Sequence, residues 1–125
     1  VTLPPRFIVV GAGPAGLSLA LQLAEGGAQV ELIEASERFS RQFRGDALMP
    51  SGQEALARMG LLPLLEHLPQ RPLEGWSVWL ERQRLFQVAE PLGSLHPCRL
   101  VPQQSLLEAL LERALRCPTL RWRPG

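Results

Sequence analysis

Two cysteines are the whole thiol content of the 125 residues, and Cys98 and Cys117 stand far apart, with no C-x-x-C and no histidine at ligand spacing. That pattern excludes a zinc site and a disulfide framework, and no metal is expected; two buried free thiols in a reducing compartment are. Charge of one sign is missing as well. Thirteen Lys+Arg against twelve Asp+Glu leave a formal net charge of +1, so no global field recruits nucleic acid. Arginines thicken between Arg38 and Arg44 and between Arg113 and Arg123, but the second cluster is interleaved with Leu and Glu and reads as a solvated face. Long apolar runs are absent. The longest, Leu17 to Ala24, is broken by Ser18 and Gln22 and falls far short of the ~20 residues that span a bilayer. Val1 to Pro5 shows no basic, apolar and small-residue succession of a secretory leader, so a cytoplasmic protein with no membrane partner is expected. His67 and His96 each stand alone beside prolines and read as surface or capping residues. Repeats and low-complexity segments are lacking.

What remains is an ordinary globular composition, 46% hydrophobic and 20% charged, enough for one compact core. Phe7 to Val10 is a continuous apolar run, as in a parallel strand covered on both faces, and it stops at Gly11. Ala15 to Glu25 is rich in Leu and Ala, and Gly26-Gly27 ends it as a helix. Gln29 to Glu34 reads as a second strand, which completes a βαβ unit. Further on, Ser51-Gly52-Gln53-Glu54 predicts a capping box opening a helix that runs to about Met59 and stops at Gly60. Pro63, Pro69 and Pro72 predict an irregular stretch. Trp76 to Leu80 and Leu85 to Val88, joined by Glu81 to Arg84, read as a hairpin that lacks the usual Asn-Gly or Asp-Gly turn. Gln104 to Arg116 has helical apolar periodicity, with Glu112 and Arg116 able to pair at i,i+4, and Leu120 to Arg123 follows as a strand.

The motif with chemical content is Gly11-Ala12-Gly13-Pro14-Ala15-Gly16, a G-x-G-x-x-G between a strand and a helix. Gly11 permits the tight turn, Gly13 lets a pyrophosphate approach the backbone, and Gly16 lets the helix pack on the sheet, with Ala20 small for the same reason. At the helix start, Pro14 loses no needed donor, and the free N–H groups and dipole from Ala15 onward favour phosphate. Glu34 ends the second strand about 20 residues later, where an acid accepts from both ribose hydroxyls and repels a 2′-phosphate. A nucleotide without that phosphate is expected, and the fingerprint by itself serves FAD and NAD equally.

Phe43-Arg44-Gly45-Asp46-Ala47-Leu48-Met49-Pro50-Ser51, Met59-Gly60-Leu61 and Leu100-Val101-Pro102-Gln103, read with the fingerprint, separate the two. Together they resemble the para-hydroxybenzoate hydroxylase-like family of FAD-dependent monooxygenases. The resemblance implies an α/β fold: a Rossmann-like βαβ FAD-binding domain with a parallel sheet, plus the start of an inserted antiparallel substrate-domain segment. The implied division is 1–72 for the FAD-binding segment, 73–97 for the inserted hairpin and 98–125 for the return helix and strand, an incomplete domain. It implies Arg44 laid back over the FAD, where a guanidinium forks across phosphate and ribityl oxygens, and Gln103 reaching the flavin chain. Taken alone, Arg44 could instead pair with Asp46 or Glu37, and Gln103 could cap its helix.

The family's later Gly-Asp segment has no counterpart here, so the chain is expected to be the amino-terminal part of an enzyme and inactive by itself. No catalytic acid, base or nucleophile is nominated. The implied reaction is NAD(P)H- and oxygen-dependent hydroxylation of a small, aromatic substrate, with the protein orienting substrate and excluding water. Another flavin oxidoreductase (dehydrogenase, reductase or halogenase) and a non-catalytic nucleotide-binding remnant are the alternatives. An unpaired sheet edge would in addition promote self-association.

Overall fold

The computed structural model describes residues 2–40, 46–90 and 95–125, which fall into two compact units, 1–42 with 103–125 and 43–102. Arg44 and Gly45 lie outside the described residues.

The first unit is built on strands β1 (Arg6–Val10), β2 (Gln29–Glu34) and β8 (Leu120–Pro124), parallel in the order β1-β2-β8. Helix α1 (Pro14–Glu25) crosses from β1 to β2, and α3 (Gln103–Leu115) leads into β8. Both helices pack against each other and against one face of the sheet. Leu17, Ala20, Leu21 and Ala24 of α1 meet Leu107, Leu110 and Ala114 of α3 over Val9, Val30, Leu32 and Leu120, all buried. Each fully buried leucine there contributes about 1.5–3 kcal/mol. The Arg113–Glu25 ion pair between the helices, at 2.8 Å and about one-third exposed on each side, adds at most about 1 kcal/mol. Past β2 the chain is pinned by Phe39, buried with its ring 6.2 Å from that of Trp122.

Among the described residues helices cover one face of this sheet, which departs from the two-sided cover that the apolar run of β1 predicts. On the other face Ile8 and Val10 are 62% and 79% exposed, and Glu31 lies between Arg6 and Arg123, pairing with both. The outer edge of β1 has no strand beside it among the described residues.

In the second unit, two-residue strands β3 (Ala47–Leu48) and β4 (Arg71–Pro72) pair antiparallel with the two edges of β7 (Arg99–Leu100). Helix α2 (Pro50–Arg58) starts one residue before the expected capping box. Its N-cap is Met49 with no side-chain cap bond, because Pro50, with φ already fixed for helix, takes the first position and moves Ser51 inside the first turn. Residues Leu62–His67 form a 3-10 helix where an irregular stretch is predicted. The hairpin joins β5 (Gly75–Leu80) to β6 (Gln83–Ala89), and its turn is tighter than the expected Glu81 to Arg84. Gln83 and Arg84 pair with Leu80 and Trp79, leaving two turn residues, and Glu81 takes the positive φ of 54° that such a turn demands. The predicted Glu112–Arg116 pair forms at 2.8 Å.

Among the described residues no helix is long and apolar enough to cross a membrane, and no group of three or more His, Cys, Asp or Glu could hold a metal ion. Cys98 is buried, and burial followed by the Glu90 carboxylate pushes its thiol up, which keeps it protonated; Cys117 is only half-buried, against the expectation that both are buried.

Candidate functional site

The turn between β1 and α1 is held by two consecutive hydrogen bonds from its backbone to the end of β2. The Gly11 N–H donates to the Ile33 carbonyl at 2.7 Å, and the Ala12 N–H donates to Glu34 Oε2 at 2.8 Å. Gly11 has φ 97°, a left-handed conformation that favours glycine, and this bends the strand directly into the helix. A Cβ built on Gly16 would be driven into the Gly11 carbonyl oxygen, so α1 sits as close to the turn as it does only because position 16 has no side chain.

Gly13 is different. It is the N-cap of α1 with φ −73°, and a Cβ built on it would meet nothing within 4 Å. The space above the turn is open, and what a side chain there would fill is the approach to the helix start. Pro14 opens the helix with no N–H, and the first intrahelical bond from the turn runs from the Leu17 N–H to the Gly13 carbonyl at 2.9 Å. Ala15 and Gly16 therefore carry N–H groups without a carbonyl one turn back inside the helix, at the positive end of its dipole. This donor set suits the oxygens of a pyrophosphate.

Glu34 is 4% exposed, and its two carboxylate oxygens divide between two backbone donors, Oε2 to Ala12 and Oε1 to the Ser36 N–H at 2.9 Å. Sequence reasoning assigns this acid to the ribose alone. The structure gives it an earlier task, holding the glycine turn and the bend after β2 in one piece. A carboxylate oxygen can accept more than one hydrogen bond. Glu34→Gln keeps the size but turns an NH2 toward one of the two N–H groups. We expect it to lower the stability of the complete polypeptide by about 1–3 kcal/mol in urea titration of the flavin-free form. An unchanged midpoint would show that the carboxylate does not hold the turn.

Of the remaining candidates, Arg44 lies outside the described residues. Gln103 is the half-buried first residue of α3. Two polar groups of the second unit, Glu90 half-buried and Gln53 buried, were not singled out from the sequence. Glu90 accepts from Trp76 Nε1 at 2.5 Å and from the Cys98 N–H at 3.3 Å, which ties the foot of the hairpin to the approach to β7. Gln53, read only as a link in the Ser51–Glu54 pattern, is fully buried. An isolated polar residue in a helix gives no sequence signal of such burial.

The model of a family described as "FAD binding domain" matches residues 6–124. The chain belongs to that family. Among relatives of this FAD-binding domain, the 6-methylpretetramide 4-monooxygenase of Streptomyces rimosus is 39% identical over 113 residues, covering 88% of this chain and 27% of the relative. Squalene monooxygenase 1,1 of Brassica napus is 34% identical over 122 residues, 94% of this chain and 24% of the relative. Among solved structures, p-nitrophenol 4-monooxygenase PnpA from Pseudomonas putida DLL-E4 superposes with a TM-score of 0.80 at 24% identity, over 98% of this chain and 32% of that one. PqsL of P. aeruginosa in complex with 2-aminobenzoylacetate gives 0.82 at 21% identity, over 97% and 33%. The expected Rossmann-like α/β fold of FAD-dependent monooxygenases is thus the fold found, and the chain spans about a quarter to a third of the length of these proteins.

Proposed function

We propose that this FAD-binding domain holds the adenosine and pyrophosphate of FAD for a monooxygenase that uses NAD(P)H and oxygen to hydroxylate a small, aromatic substrate. The observation that carries the reading is the open Gly13 cradle at the start of α1, beside a buried Glu34. The two relatives above 30% identity, a 6-methylpretetramide 4-monooxygenase and a squalene monooxygenase, support the reaction class.

In this reading Gly11 and Gly16 shape the turn, Gly13 admits the pyrophosphate, and the Ala15 and Gly16 N–H groups donate to it, with Pro14 fixing the helix start. Glu34 accepts from the ribose hydroxyls. Arg44 and Gln103 reach along the flavin chain, and residues 73–97 begin the cover over the substrate. Bound FAD supplies the electron transfer and oxygen chemistry, so the protein residues bind, orient and exclude water. We place the enzyme in the cytoplasm, where the free thiols Cys98 and Cys117 stay reduced. The bare edge of β1, with Ile8 and Val10 exposed, would make the 125-residue chain self-associate when isolated.

The experiment is to express the complete polypeptide, measure flavin after gel filtration, and mix it anaerobically with NADH or NADPH. Flavin bleaching, followed by oxygen consumption that an aromatic substrate stimulates, is the expected result. Bleaching with no oxygen use under any substrate would sink the monooxygenase assignment and point to a dehydrogenase or reductase. Absence of flavin would sink the cofactor site itself.

A further inference from the structure

We propose that Gln53 is a positioning residue for the cofactor arm Gln103, holding the register of the β3–β7 ladder that leads into it. The proposal rests on the FAD reading above for the role of Gln103. The ladder has only two paired positions, Ala47 with Leu100 and Leu48 with Arg99. At one end the Val101 N–H donates to the Asp46 carbonyl at 2.7 Å. Gln103, the first residue of α3, follows Val101 by two residues and so leaves from this end.

At the other end sits the Gln53 amide. From α2 its Nε2 donates to the Leu48 carbonyl at 3.2 Å, at the last residue of β3, and to the Pro97 carbonyl at 2.6 Å, just before β7. One side chain thereby spends both amide protons on two segments far apart in the sequence. Two-residue strands specify their register weakly, and a slip of one residue turns every side chain to the opposite face. The clasp resists that slip because a shifted strand would present a side chain, not a carbonyl, to one of the two N–H groups.

Gln53 is also an expensive residue for mere stability. It is fully buried, and its Oε1 has no hydrogen-bond partner among the described residues. A buried acceptor left open works against folding, so a leucine of similar size would serve a purely structural core at least as well. What leucine cannot do is hold two carbonyls in place.

The test uses the complete polypeptide with Gln53→Leu and Gln53→Glu, reading FAD affinity by titration of the flavin-free form and amide exchange by residue. Gln53→Leu is expected to stay folded, to weaken FAD binding about tenfold or more, and to lose protection at the Val101 amide while the β1–β2 amides keep theirs. Gln53→Glu is expected to bind FAD poorly at neutral and alkaline pH and to recover in part as pH falls, because only the protonated carboxyl has a hydrogen to give the Pro97 carbonyl; the parent protein should show no such recovery. Parent-like FAD affinity and Val101 protection in Gln53→Leu would overturn the proposal, whatever its melting temperature. If Gln53→Leu does not fold, the pH titration of Gln53→Glu decides, and a profile matching the parent overturns it. If the parent itself binds no FAD, the cofactor reading fails separately, and Val101 protection alone decides the clasp.

Discussion

Gly13→Val in the complete polypeptide is expected to abolish flavin retention while changing the stability of the flavin-free protein by no more than about 1 kcal/mol. The two halves of that expectation have separate causes. Position 13 has φ −73° and ψ −177°, a backbone that any residue adopts, and an added Cβ touches nothing within 4 Å. The protein therefore has little to object to. A pyrophosphate does, because a branched side chain at the helix start occupies the approach to the Ala15 and Gly16 N–H groups. Absorbance after gel filtration reads the first half and urea titration the second. Equal flavin content in the variant and its parent would show that this turn is not the cradle.

Three residues later a smaller addition to a glycine is expected to act in the opposite way. Gly16→Ala drives its Cβ into the Gly11 carbonyl oxygen, a backbone atom fixed by the neighbouring bonds of Gly11 to Ile33 and of Ala12 to Glu34. Relief requires α1 to lift from the sheet, which opens the packing of Leu17, Ala20 and Leu21. We expect a loss of about 3 kcal/mol, at the upper end for a forced-in methyl group because the obstacle is backbone. That is a large part of the roughly 5–15 kcal/mol of a typical domain. The urea midpoint of the flavin-free protein measures it, with flavin loss following from the damaged turn. A Gly16→Ala protein that unfolds like its parent would mean that α1 and the turn are not as close as described.

Much of the first unit was legible because its signals are local. The Gln29–Glu34 strand, the α1 stop at Gly26-Gly27 and the helix before Pro118 each follow from a window of a few residues, in which glycine, proline or apolar period dominates. The errors were also local. Ser51-x-x-Glu54 matches a capping box, but Pro50 competes for the helix start and wins through its fixed φ. The hairpin turn is shorter than the sequence predicts because no Asn-Gly or Asp-Gly marks it, and Glu81 supplies the positive φ instead.

The sequence by itself determined the βαβ unit, the glycine turn and the acid at its end, since glycine conformation and helix period are properties of short stretches. Only the tertiary structure decided what those groups touch. The two-residue strands β3, β4 and β7 carry no period of their own and exist through pairing between positions as distant as Ala47 and Leu100. Glu34 has its second task because Ala12 and Ser36 bring their N–H groups to the end of β2, and Gln53 became a clasp when α2 buried it between the Leu48 and Pro97 carbonyls. Burial and long-range pairing depend on which surfaces the whole chain brings together, and no local window contains that choice.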